Sequence, residues 1–180
     1  AYPPSRRFVA FSDVKEIING CTDRKILKVG VFVDEEEDFI MDYAESGVEV
    51  AQLHGDEPPE FAEKLSRKIR VWKALRPQTT EDIDKFKDYP AESFLIDAFS
   101  PALKGGTGKL VDRKLVLHAI SVLPSPVILS GGLTPENVAD AITAVKPAGI
   151  DVSSGVELSP GIKDLLKIKD FIAAASPALA

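Results

Sequence analysis

Two short stretches carry the residue types that hold an anion. Ser130-Gly131-Gly132-Leu133 follows an apolar run and leads into Thr134-Pro135-Glu136-Asn137. That tetrapeptide reads as a helix start, with threonine as cap, proline at the first helical position and acid in the first turn. Glycine lets backbone approach a ligand closely, and a helix start offers unpaired N–H groups with a partial positive charge. Asp151-Val152-Ser153-Ser154-Gly155-Val156-Glu157 follows the next apolar run, and its hydroxyls and amides suit the same anion. Either stretch alone reads equally well as a bare turn. On two successive strands they point to a phosphate monoester gripped by Gly131, Gly132, Ser153, Ser154 and Gly155.

Other candidates lie at earlier strand ends. Asp97 closes Ser93-Phe94-Leu95-Ile96-Asp97, where partial desolvation suits a carboxyl group to general-acid work; a carboxylate capping a loop is the plainer alternative. His54, in Gln52-Leu53-His54-Gly55-Asp56, has the position to donate to a substrate oxygen or to bond within its own turn. Arg7 suits a carboxylate clamp, or simply solvent. Gly105-Gly106-Thr107-Gly108-Lys109 lacks the spacing of a nucleotide-binding P-loop and reads better as a lid. Cys21 follows a helix beside Asn19-Gly20, away from any strand end of this kind, and is rejected as nucleophile or base. With two separated histidines and one cysteine, no metal-ligand set is expected.

These residues are set out by a repeated unit of strand, polar turn and helix. Strands are expected at 27–33, 48–53, 70–75, 93–97, 126–129 and 149–152, as short apolar runs suited to burial on both faces. Helices are expected at 12–19, with Ser12 as cap, and at 35–46, 59–67, 80–87, 112–123, 135–145 and 163–174. Strict alternation means an α/β fold with a parallel sheet, either an open doubly wound sheet or a (β/α)8 barrel. Polar and Gly-rich features recur after nearly every strand, with the strongest phosphate signals on the last two, and this distribution is the barrel's. Six strands fall short of eight, so a single domain over 1–180 is expected to be an N-terminally incomplete barrel.

Bulk properties narrow the function classes. The 180 residues are 44% hydrophobic and 28% charged, ordinary for one globular domain. A net charge of −6 argues against nucleic acid, which needs many basic side chains, but not against one small anionic substrate. No apolar run approaches a membrane span, the N-terminus lacks a signal-peptide core, and a single cysteine fits a reducing compartment. A cytoplasmic location is expected, with no membrane or nucleic-acid partner.

Assembled in order, the stretches resemble the phosphoribosylanthranilate isomerase family. The resemblance rests on Val29-Gly30-Val31-Phe32-Val33, Gln52-Leu53-His54-Gly55-Asp56, Asp97-Ala98 with Gly105-Gly106-Thr107-Gly108, Ser130 through Val138, and Asp151 through Glu157. It implies a (β/α)8 barrel that performs a cofactor-free Amadori rearrangement of N-(5-phosphoribosyl)anthranilate. It further implies Asp97 as the acid, Arg7 on the anthranilate carboxylate, and Gly131, Gly132, Ser153, Ser154 and Gly155 as the phosphate cup, with His54 and Asp151 lining the mouth.

One element of the family pattern has no counterpart: the general-base cysteine in a Lys-Ile-Cys-Gly-like motif on the first strand. The expectation is that upstream residues supply it in the natural protein. The alternatives are a second polypeptide, fusion or association with an upstream synthase domain included, or a base-less phosphosugar binder. A sister barrel such as indole-glycerol-phosphate synthase would need a lysine acid, for which only Lys73 is available.

Overall fold

The computed structural model of the chain describes residues 1–21, 23, 25–97 and 112–179. The proposed lid at 105–109 lies outside them. The chain forms two compact units, one of residues 1–74 with 89–92, the other of 75–88 with 93–180.

In the first unit, α1 (Phe11–Gly20) precedes β1 (Val29–Phe32), α2 (Glu37–Glu45), β2 (Val50–Leu53), α3 (Pro59–Ser66) and β3 (Arg70–Leu75). The strands pair in parallel, aligning Phe32 with Leu53 and Leu53 with Lys73. Alternation then sorts side chains onto two faces. Phe32, fully buried, stacks edge-on against Phe39 and Tyr43 of α2, which marks its face as the helix-covered one. Val31, Gln52 and Trp72 occupy the opposite face. Tyr43 also meets Phe11 of α1 and donates its hydroxyl to the Val9 carbonyl, so one aromatic cluster secures both helices to the strands.

Lys73 therefore belongs to the helix-facing side, and its burial is resolved by a network rather than by chemistry. Its ammonium donates to Glu57 at 2.6 Å and to the Gly55 carbonyl at 2.8 Å, with both side chains almost wholly buried. The Glu57 carboxylate also accepts the N–H groups of Asp34 and Gly55, while the Tyr89 hydroxyl donates to the Glu57 carbonyl. Burial beside that carboxylate pushes the Tyr89 phenol up from its usual range. Asp34 in turn accepts from the Asp56 amide at 2.6 Å. A buried pair this well satisfied ties the loops after β1 and β2 together, and Lys73 is occupied as a structural cation.

In the second unit, α4 (Thr80–Asp84) precedes β4 (Ser93–Ile96), α5 (Arg113–Val122), β5 (Val127–Leu129), α6 (Val138–Val145) and β6 (Gly149–Ile150). Parallel pairing runs β4 to β5 to β6. Asp112 caps α5 by accepting the Lys114 amide at 2.8 Å. A 3-10 turn at Ser154–Val156 then leads to an antiparallel hairpin, β7 (Glu157–Ser159) and β8 (Ile162–Lys163), and to α7 (Leu165–Leu179). Asp164 caps α7, accepting from the amides of Leu166 and Lys167.

All six expected parallel strands form, most of them a residue or two shorter than the apolar runs suggest. Three boundaries differ for physical reasons. Helix α1 starts at Phe11 with Ala10 as N-cap, so Ser12 lies inside it and its hydroxyl turns to Asp13 at 2.9 Å. Helix α6 is regular from Val138 rather than Pro135: residues 135–137 form a tighter turn, in which the Thr134 carbonyl accepts from the amides of both Asn137 and Val138. Lys163 and its neighbours form a strand where a helix is expected, since Pro160 and Gly161 (φ 88°) fold the chain back on Glu157.

Replacing Lys73 by methionine leaves the Glu57 carboxylate buried without its counter-ion. Urea unfolding is expected to show a loss of about 3–5 kcal/mol, the usual range for breaking one partner out of a buried pair.

Candidate active site

Four candidate residues share one structural address, the first position beyond a parallel strand. His54 donates its backbone N–H to Phe32 O at 2.8 Å, Asp97 to Leu75 O at 2.9 Å, Ser130 to Ile96 O at 2.9 Å and Asp151 to Leu129 O at 2.8 Å. Each thus closes the ladder to the strand before it and carries its side chain past the C-terminal end. In the second unit, alternation and register put Asp97, Ser130 and Asp151 on the face of Leu95, Ile128 and Gly149. Phe94, Ile96, Val127 and Leu129, all buried, fill the other face.

Asp97 is 6% exposed, a carboxyl group largely removed from water. Asp151 lies beside Ser130, whose hydroxyl donates to Asp151 Oδ2 at 2.8 Å. Burial pushes the Asp151 carboxyl above its ordinary value of 3.8, against the opposing pull of that hydrogen bond and of the Lys163 charge.

The Gly-Gly turn has the backbone that glycine permits: φ is 87° at Gly131 and 69° at Gly132. Asn137 braces it from behind, its side-chain amide donating to Gly132 O at 3.0 Å while its oxygen holds the Thr134 amide. The Ser-Ser-Gly turn packs directly on it. A Cβ at Gly155 would lie 1.9 Å from the Leu133 carbonyl oxygen, so any side chain there would force the two turns apart. Among the described residues no protein group accepts from the amides of Ser154 or Gly155. The Ser-Ser-Gly turn thus keeps backbone donors unclaimed by the protein, the kind of group that holds an anion.

Arg7 and His54 belong to the first unit. Arg7 is half-buried, its amide bonded to Ser5 Oγ at 3.1 Å; His54 stands 3.4 Å from Gln52 through Nδ1. Cys21 sits at the C-cap of α1, ahead of the N-terminal end of β1, with its thiol 3.8 Å from Asp23 O. Among the described residues no group of three histidine, cysteine or acidic side chains is placed to hold a metal, and no helix is long and apolar enough to cross a membrane. Sequence reasoning missed Asn137 as a brace and Lys163 as a neighbour of Asp151. The asparagine three residues past Thr134 was a legible signal; the lysine was hidden by the hairpin.

Parallel strands alternating with helices, and polar groups collected just past the strand ends, define the class: a (β/α)8-barrel protein. The sequence model of N-(5'-phosphoribosyl)anthranilate isomerase matches residues 2–174. The enzyme of that name from Geobacter sp. (strain M21) is 44% identical over 149 residues, which are 82% of this chain and 71% of the relative. The crystal structure of phosphoribosyl anthranilate isomerase from Thermotoga maritima superposes with a TM-score of 0.89 at 37% identity, covering 98% of this chain and 85% of that one. Another isomerase structure, in complex with reduced 1-(o-carboxyphenylamino)-1-deoxyribulose 5-phosphate, gives a TM-score of 0.84 at 37% identity over 98% and 84%. The chain belongs to the N-(5'-phosphoribosyl)anthranilate isomerase family. Its function is that isomerisation, an aldose-to-ketose rearrangement of a phosphoribosyl substrate in tryptophan biosynthesis.

Two measurements test the site's construction. Gly155→Ala, by driving the two turns apart, is expected to lower kcat/KM roughly 100-fold, as displacements of about 1 Å do; steady-state fluorescence kinetics would show it. For Asp151 the native state holds its proton more tightly than the unfolded chain. Its contribution to stability is therefore favourable at low pH and is lost as pH rises from 3.8 through the raised native value. Asp151→Asn should remove that slope, so the stability difference, variant minus wild type, grows with pH across this window in urea titrations.

Proposed function

We propose that Asp97 is the general acid of the isomerisation, and that the turns at Gly131-Gly132 and Ser153-Ser154-Gly155 hold the ribose 5-phosphate. The observation that carries the proposal is the common placement of Asp97, Ser130 and Asp151 just past three neighbouring strands, with the amide-lined turns immediately beyond two of them. Asp97 gives its proton to the ribose ring oxygen, the C1–O bond breaks, and the anthranilate nitrogen lone pair closes a Schiff base. A base then takes the C2 proton, the C2–H electron pair forms the C1=C2 double bond while the C1=N π pair returns to nitrogen, and the resulting enolamine tautomerises to the 1-amino-1-deoxyketose. Burial favours this role for Asp97, since a site shielded from bulk water keeps its proton transfers between carboxyl and ligand. Arg7 supplies a planar, bidentate partner for the anthranilate carboxylate, and His54 and Asp151 line the mouth.

Cys21 does not serve as the base, because it caps α1 ahead of β1, whereas the first unit's site candidate, His54, lies just past the C-terminal end of a strand. The base is the family's cysteine, for which these 180 residues hold no counterpart. The reaction belongs to the cytoplasm, the chain acts as one barrel domain, and association or fusion with an upstream synthase is part of the same proposal.

The test is loss of anthranilate fluorescence on turnover by the full-length gene product. Asp97→Asn should lower kcat by about 10²–10⁴-fold, the usual worth of a general acid, with KM little changed. An Asp97→Asn enzyme that keeps its kcat would remove aspartate from the acid role. No turnover by the wild type, with its upstream cysteine intact, would favour a phosphosugar-binding barrel instead.

A further inference from the structure

The hairpin behind the Ser-Ser-Gly turn has no part in the proton transfers, yet its lysine is held in place. Lys163 on β8 is 42% exposed along its side chain, but its ammonium is engaged twice. It donates to the Ser153 carbonyl at 3.0 Å and pairs at 3.0 Å with Glu157, whose side chain is only 4% exposed. The anchor is itself anchored: Lys167 donates to the Glu157 carbonyl at 3.1 Å, and the Asp164 amide to Val156 O at 2.9 Å.

The geometry of the peptide unit gives this contact a consequence. In a trans peptide the carbonyl of one residue and the N–H of the next point to opposite sides. Holding the Ser153 carbonyl on Lys163 therefore turns the Ser154 N–H away from the hairpin. That amide has no acceptor among the described residues. The hairpin also brings a positive charge close enough to favour the ionised form of Asp151, in a chain of net charge −6.

We propose that Lys163 is the positioning residue of the phosphate cup: through the Ser153 carbonyl it aims the Ser154 amide at the 5-phosphate, and its charge strengthens the anion's hold. Glu157 fixes the lysine behind the turn and keeps it from collapsing onto the ligand. The inference rests on the cup assignment above and adds a residue that does not itself touch the reacting atoms.

The experiment compares wild type, Lys163→Met, Lys163→Gln and Gly155→Ala in the full-length enzyme, with inorganic phosphate as competitive inhibitor. Lys163→Met should raise both KM and the phosphate inhibition constant about tenfold, the worth of a charge-assisted hydrogen bond, with kcat within about twofold. Lys163→Gln keeps a donor for the Ser153 carbonyl without the charge, and should give a smaller rise in both. It decides the matter if Lys163→Met fails to fold. A fall in kcat with unchanged KM and phosphate inhibition, or no change in either variant while Gly155→Ala weakens phosphate, makes Lys163 only hairpin glue and overturns the inference. Phosphate inhibition unchanged in Gly155→Ala as well would overturn the cup itself.

Discussion

The contact on which the candidate site depends is the seat of Gly155 on the Leu133 carbonyl. With 1.9 Å between that oxygen and the place of any Cβ, the two turns come together only because one of them carries no side chain there. Their approach is prepared by the register of β5 and β6, which sets Ser130 beside Asp151 and joins them through the hydroxyl. It is secured from behind by Asn137 on one turn and Lys163 on the other. Glycines at positive φ give one turn its shape, and the other seats against it without a side chain between them.

The two units solve one problem in different ways. Loops beyond parallel strands lie outside the sheet's hydrogen-bond ladder and must be fixed by something else. In the first unit a buried ion pair, Glu57 with Lys73, collects the amides of Asp34 and Gly55 and holds two loops at once. In the second, backbone contact, an asparagine brace and a lysine tether perform the holding. Lys73 pairs with Glu57 almost wholly out of water, whereas Lys163 pairs with Glu157 while 42% of its side chain stays exposed.

Much of the fold was legible in sequence because parallel strands buried on both faces leave short apolar runs that few other structures explain. Phe94, Leu95 and Ile96 illustrate this, each at or near zero exposure. Helix edges were less legible. Thr134-Pro135 has the composition of a helix start, but residues 135–137 close a tighter turn on the Thr134 carbonyl and the regular helix begins at Val138. Lys163 looked helical because the hairpin's signal, Pro160-Gly161, is only two residues long. The family was legible from the order of its motifs, and the match over residues 2–174 bears it out.

What the sequence determined was the list of groups and their position beyond strand ends: Asp97, Asp151 and the two glycine turns follow apolar runs whose termini are fixed by local composition. What only the tertiary structure decided was how those groups meet. Lys73 was assigned to the helix-facing side by strand register, Ser130 was joined to Asp151 across a strand pair, and Gly155 was brought onto Leu133 from 22 positions away in the chain. Local sequence sets backbone preference and the period of burial, but it contains no information on which carbonyl will face which amide. That is settled when strands pair and the turns between them must share the same space.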